Sequence, residues 1–199
     1  MTENEDQVAG LLLAAGGGRR LGGRPKALLP YRSRPLVEHA VGVLRAAGCA
    51  RVHVVLGAQA DVVRDRAALP GCVLVDNPGW ERGMGSSLRA GLESLAGTGA
   101  RAALVSLVDQ PGIGAEAVAR VRAAYRDETS LAAAAYAGVR GHPVLFGAAH
   151  WAGIAATATG DRGARAYLRE HEAAITLVEC ADVARPHDID TEADLVHLK

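Results

Sequence analysis

The chain has 199 residues, 49% of them hydrophobic and 22% charged, with no formal net charge at pH 7. This fits one globular domain burying about 70% of its unfolded surface, and excludes a disordered chain or a broadly basic nucleic-acid binder. Cys49, Cys72 and Cys180 are odd in number and form no CxxC pair, which argues against a disulfide frame or a Cys-rich zinc site and for reduced thiols in a cytoplasm. Of the 22 Lys and Arg residues only Lys26 and Lys199 are lysines, so the interior of an arginine-rich chain holds one.

Residues 1–7 are polar and acidic and are expected to form a disordered tail; neither a signal peptide nor a membrane span is expected. Residues 8–14 (VAGLLLA) are apolar on both faces, as a buried central strand is. A glycine-rich turn follows, then a predicted helix at 35–47, a strand at 51–56 and a helix at 60–68. A short strand at 73–75 ends in Asp76-Asn77-Pro78-Gly79, a turn signal. Predicted next are a helix at 86–95, a buried strand at 102–108 and a helix at 115–125. Residues 131–136 are alanine-rich, and their place in the alternation makes them a strand. Gly138 to Pro143 reads as a hairpin turn into a strand at 144–146, where the sheet is expected to turn antiparallel. Helices at 148–155 and 164–171, a strand at 175–178 and a closing helix at 191–198 capped by Thr191 complete the prediction. The alternation implies an α/β fold, single-domain and Rossmann-like, with a mixed, mostly parallel sheet and helices on both faces. One domain is expected at 8–199, with 8–110 as its first half and about 138–172 as a later elaboration.

The turn from Ala14 to Lys26 holds the densest chemistry. Glycines after a first buried strand let backbone N–H groups approach phosphates. A dinucleotide fingerprint needs glycines at i, i+2 and i+5, but Gly16 and Gly18 are followed by Leu21, and the second strand ends without an acid for a ribose. A Walker loop needs Gly-Lys-Ser/Thr after its second glycine, but Gly23 is followed by Arg24-Pro25. The remaining pattern is Ala14-Ala15-Gly16, Arg20, Leu21-Gly22 and Pro25-Lys26, which resembles the signature of nucleotidyltransferases with a GT-A type fold. Gly18 departs from the serine often found there.

Further segments resemble the molybdenum-cofactor cytidylyltransferases of the MobA-like NTP transferase family. They are Asn77-Pro78-Gly79-Trp80 with Gly83 to Leu88, Leu107 to Pro111, Gly141 to Phe146, Gly160 to Arg165, and Asp188-Ile189-Asp190-Thr191. The resemblance implies CMP transfer from CTP to molybdopterin with release of pyrophosphate. It implies Arg20, Lys26 and Asp109 as catalytic residues, and Ala14, Ala15, Gly16, Gly17, Gly18, Arg19, Asn77, Ser86 and Ser87 as nucleotide-binding ones. His142, Asp161, Arg162 and Arg165 fall on the acceptor side, with residues 8–110 implied as the nucleotide-binding half and about 138–172 as the acceptor-side elaboration. Asp109 and Asp190 would hold Mg²⁺ or Mn²⁺. A recipient molybdoenzyme or its insertion chaperone is the implied partner, with no nucleic acid and no membrane. The residues independently support parts of this. Asp109 ends an apolar strand, at the edge where open α/β sheets bind ligands, and a carboxylate there suits a hard cation. The alternatives are that Asp109 caps the next segment, that Ser86 is an N-cap, that Asp190 with Thr191 and Asp194 forms a capping box, and that His142 is a plain turn histidine. Arg162 and Arg165 could grip a phosphate with bidentate donors or form a solvated face. A GTP-using cofactor guanylyltransferase, a sugar-phosphate nucleotidyltransferase and a non-catalytic cofactor carrier stand as alternatives.

Overall fold

The computed structural model describes residues 7–198. Met1 to Asp6, most of the expected tail, and Lys199 lie outside the described residues. Gln7 does not belong to a loose tail: its carbonyl accepts from the N–H groups of Arg101 and Ala102 at 2.8 and 3.0 Å.

A seven-stranded sheet is built from β1 (Val8–Leu13), β2 (Val52–Leu56), β3 (Val73–Asp76), β4 (Ala102–Leu107), β5 (Leu131–Tyr136), β6 (Val139–Gly147) and β7 (Ile175–Glu179), in the order β3-β2-β1-β4-β6-β5-β7. Only β6 runs antiparallel to its neighbours; β1 pairs in parallel with both β2 and β4, placing Leu13 beside Val55 and Leu107. The carboxyl ends of these central strands therefore open on one edge, where ligands bind in such sheets.

Alternation along β1 sends successive side chains to opposite faces, and both are covered. On one face Leu12, Val54 and Leu104 pack with Leu36, Val41 and Leu44 of α1 (Leu36–Ala46), Val63 of α2 (Ala60–Arg66), and Val118 and Val121 of α4 (Ala115–Arg122). On the other, Leu11, Leu13 and Val105 pack with Leu88, Leu92 and Leu95 of α3 (Met84–Leu95), Ile154 of α5 (Trp151–Thr157), and Tyr167 and Leu168 of α6 (Arg165–Glu170). Each fully buried Leu or Ile contributes about 1.5–3 kcal/mol of transfer free energy, so the two-sided core dominates stability.

Three expectations are corrected. The hairpin turn is not at Gly138 to Pro143: Ala137 and Gly138, at φ 52° and 79°, make it, and Val139 to Pro143 already belong to β6. The Glu179 carboxylate accepts from the N–H groups of Ala137 and Gly138 at 3.0 Å each, which fixes the turn there. The closing helix expected at 191–198 is a 3-10 helix, Glu192–Leu198, and the Thr191 hydroxyl does not cap it but donates to Asp194. Its start is organised by Asp194, whose carboxylate accepts from the N–H groups of Asp190 and Thr191 and from the Thr191 hydroxyl. Finally, Ser86 does not cap α3. The helix begins at Met84, with Gly83 in the N-cap position.

Candidate active site

The chain between β1 and α1 leaves the sheet edge through Ala14, Ala15 and Gly16 and folds into a 3-10 turn, Arg19–Leu21. Gly18 adopts φ 58°, and its carbonyl accepts from both Leu21 and Gly23 at 2.8 and 3.0 Å. A side chain at Gly18 would collide with the Arg24 carbonyl, so this doubly bonded bend requires glycine. The turn brings Lys26 back beside Gly16, with the Lys26 N–H on the Gly16 carbonyl at 3.4 Å.

Lys26 then meets two carboxylates from distant parts of the chain. Its ammonium lies 2.6 Å from Asp109 Oδ2 and 2.5 Å from Asp190 Oδ1. Asp109 follows β4, and Asp190 comes from the C-terminal segment laid along it. The Ile189 N–H donates to the Asp109 carbonyl at 2.9 Å, and Gln110 Nε2 to Asp188 Oδ1 at 2.8 Å, with Ile189 fully buried as the anchor. Burial alone would lower the Lys26 pKa, but the pull of Asp109 and Asp190 holds it above the ordinary lysine value. Burial pushes the Asp109 carboxyl upward, and Lys26 opposes that push.

These groups line a cleft of about 1020 Å³ at the carboxyl edge of the sheet. The cleft gathers Ala15, Gly16, Gly17, Gly18, Arg19, Arg20, Lys26, Ser87, Asp109, His142, Asp161, Arg162, Arg165 and Asp190, so residues of all three expected groups share one space. Three expected residues sit outside its lining. Ala14 is a core residue. Asn77 and Ser86 lie behind the wall: Asn77 Nδ2 donates to the hydroxyls of Ser86 and Ser87, both at 2.9 Å, and Asn77 Oδ1 accepts from Gly79 N–H at 3.0 Å. Asn77 thus places Ser87, which does reach the cleft.

Two walls of the cleft touch where α3 begins. Gly83 has φ 96°, and a Cβ there would lie 2.5 Å from Asp161 Oδ1 and 2.6 Å from the Gly160 carbonyl oxygen. Glycine therefore lets the start of α3 abut the Gly160–Arg162 turn, and Arg89 secures the contact by donating to the carbonyls of Ala155 and Ala158. On the opposite wall, the Tyr136 hydroxyl donates to the His142 carbonyl at 2.7 Å. Burial pushes the His142 imidazole down to about 4, so it is neutral at pH 7.

Trp80 and Asp188 fall within the sequence motifs but have no role of their own there, and Tyr136 and Arg140 have none either; all four line the cleft. Trp80 is the most informative of these. A Cβ at Gly17 would lie 2.9 Å from its ring, and one at Gly57 2.5 Å from its Cβ, so the indole lies against the turn that follows β1. The signal was a large aromatic within a glycine-rich loop, next to residues already singled out.

An oxygen-donor cation site is consistent with this geometry. One cation, the Lys26 ammonium, already bridges Asp109 and Asp190, and hard divalent ions favour carboxylate oxygens. No cluster of three or more His, Cys, Asp or Glu able to hold a metal occurs among the described residues, so water and substrate oxygens would complete the shell. No helix among the described residues is long and apolar enough to cross a membrane.

Residues 10–175 match the model of the MobA-like NTP transferase domain. A nicotine blue oxidoreductase of Paenarthrobacter nicotinovorans is 42% identical over 198 residues, covering 96% of each chain. A molybdenum cofactor guanylyltransferase of Rhodobacter capsulatus is 38% identical over 120 residues, 59% of each chain. Among solved structures, the manganese complex of Rv0371c from Mycobacterium tuberculosis H37Rv superposes with a TM-score of 0.78 at 27% identity, over 96% of this chain and 97% of the other.

Proposed function

The chain belongs to the MobA-like NTP transferase family, and from that premise we propose that it transfers CMP from CTP to the terminal phosphate of molybdopterin, releasing pyrophosphate. The observation that carries the proposal is the convergence of Lys26, Asp109 and Asp190 at the mouth of the glycine turn. A phosphate oxygen of the acceptor attacks the α-phosphorus, and the bond to the β-phosphate breaks, its electron pair leaving with pyrophosphate. The nucleophile is already an anion, so positioning and charge stabilisation are what the protein must supply.

Gly16 to Gly18 bring backbone close to the triphosphate, with Arg19 and Arg20 at the rim and Lys26 at the inner end. Ser87, placed by Asn77, faces the nucleoside, while Arg162 and Arg165 hold the acceptor phosphate with bidentate donors. His142, neutral at pH 7, offers the acceptor a hydrogen bond without adding charge. Asp109 and Asp190 would hold Mg²⁺ or Mn²⁺, and the manganese in the Rv0371c complex supports a divalent ion. Such an ion would supply Lewis-acid stabilisation of charge on the phosphates.

Cytosine is the base favoured by the Ala14-Ala15-Gly16 opening; the guanylyltransferase name of the Rhodobacter relative makes GTP the competing substrate. Pyrophosphate release from the pure protein with molybdopterin, a divalent ion and each NTP in turn separates the two. Lys26→Ala should lower turnover about 10²–10³-fold, the scale for losing one preorganised charge donor; near-normal turnover would sink the role given to Lys26.

A second reading is favoured by the 42% identity to an oxidoreductase over nearly the whole chain. In that reading the cleft carries out electron transfer to or from a dye of the kind named for that relative, although the turn after β1 lacks the dinucleotide fingerprint that would bind a nicotinamide donor. NADH or NADPH oxidation by a quinoid dye, with no pyrophosphate formed from any NTP, would establish it over the transferase.

A further inference from the structure

Asp109 Oδ2 and Asp190 Oδ1 do more than approach Lys26. Both point at one atom, its Nζ, at 2.6 and 2.5 Å. A divalent ion bridging the same two oxygens at about 2.0–2.1 Å would need the space the ammonium fills. The Lys26 side chain is only 13% exposed. If a metal displaced it with no anion to receive it, a largely buried ammonium would lose both partners, which is strongly unfavourable. Equally, a triphosphate that drew Lys26 away with no metal would leave two converging carboxylates without a cation.

We propose that Lys26 makes this site selective for a divalent ion arriving together with a polyphosphate: the ammonium passes from the carboxylate pair to the phosphates as the metal takes its place. This rests on the transferase reading for the identity of the anion. In the exchange every charged group keeps a partner of opposite sign: the divalent ion takes the carboxylates, and the displaced ammonium takes the phosphates. Neither ligand alone satisfies both requirements. Metal and triphosphate therefore bind with reciprocal positive coupling, and free divalent ions bind weakly.

The test is Mn²⁺ binding, read from the paramagnetic resonance of the free ion and corrected for Mn²⁺ taken up by the nucleotide alone, with and without a CTP analogue whose methylene bridge between the α- and β-phosphates blocks turnover. The wild type should bind bare Mn²⁺ weakly and at least about tenfold more tightly with the analogue, within the usual range of coupling between sites. Lys26→Met should bind bare Mn²⁺ at least about tenfold more tightly than the wild type and show a smaller further gain from the analogue, the part that remains coming from the phosphate oxygens themselves. Adding Asp190→Asn to Lys26→Met should abolish the gain, locating the ion on the carboxylate pair. Lys26→Gln replaces Lys26→Met if circular dichroism shows that variant misfolded. No gain in bare-metal affinity in the folded variant overturns the proposal. So does the absence of coupling in the wild type with both the analogue and inorganic triphosphate. Coupling with inorganic triphosphate but not with the analogue supports the exchange and counts instead against a nucleotide substrate.

Discussion

Gly57→Ala tests whether Trp80 is wedged against the sheet edge. The added Cβ would lie 2.5 Å from Trp80 Cβ and 2.8 Å from both Trp80 Cγ and Ala15 Cβ. Comfortable carbon contacts are about 3.5–4.0 Å, so the shortfall is about 1 Å. Cβ and Cγ are the anchored end of the indole, and a rotamer change cannot clear them; either the loop carrying Trp80 or the turn after β1 must move. Overpacking of this kind costs about 1–3 kcal/mol, and with backbone on both sides we expect about 2–3 kcal/mol. For a chain of this size that lowers the melting temperature by about 4–12 °C. Because the displaced turn carries Gly16 to Gly18, the KM for nucleotide should rise as well. Gly42→Ala is the matched control: Gly42 lies within α1 with open space around it, so the same chemical change should stabilise by about 0.5–1 kcal/mol. Thermal unfolding of both variants reads the result. A Gly57→Ala protein that melts with the wild type and binds nucleotide equally well would refute the wedge.

Other expectations follow from the C-terminal segment and the histidines. Asp194→Ala removes the acceptor that orders Asp190 and Thr191, so it should weaken Mn²⁺ binding to the nucleotide complex several-fold while leaving the melting temperature nearly unchanged; unaltered metal affinity would show that Asp190 is placed by other contacts. His142, His39 and His53 are each held below the ordinary 6.5 by burial. The unfolded chain then takes up protons at a higher pH than the folded one, so this contribution to stability is full above about pH 6.5 and falls as the pH drops towards 4. Urea unfolding at pH 7 and pH 5 checks the sign, and His142→Gln should flatten the slope.

The legible parts of the fold were those set by local pattern. The apolar runs of β1 and β4 and the 3.6-residue periodicity of α1 and α3 sufficed to place the sheet, both helical layers and the strand ends that line the cleft. The misplaced parts depend on distant partners. Gly141-His142-Pro143 looks like a turn by composition, but the bend is fixed by Glu179 on the neighbouring strand β7, 42 residues beyond Ala137, which no local pattern reveals. Lys26, Asp109 and Asp190 were each legible by chemistry, yet their direct contact was not. The lysine was assigned to phosphates and the acids to metal, and only the laying of Asp188 to Asp190 along the end of β4 brings them together. Asn77 was assigned to the nucleotide, and its side chain instead binds the two serines.

The partners of Lys26 lie 83 and 164 residues further along the chain. During synthesis, the glycine turn and its lysine emerge early, and Asp109 can join them once β4 has paired with β1. Asp190 arrives much later, after β5, β6 and β7 have been made. A nascent chain can thus hold the whole sheet while Lys26 still lacks one of its two carboxylate partners, so this cluster closes after the core rather than with it.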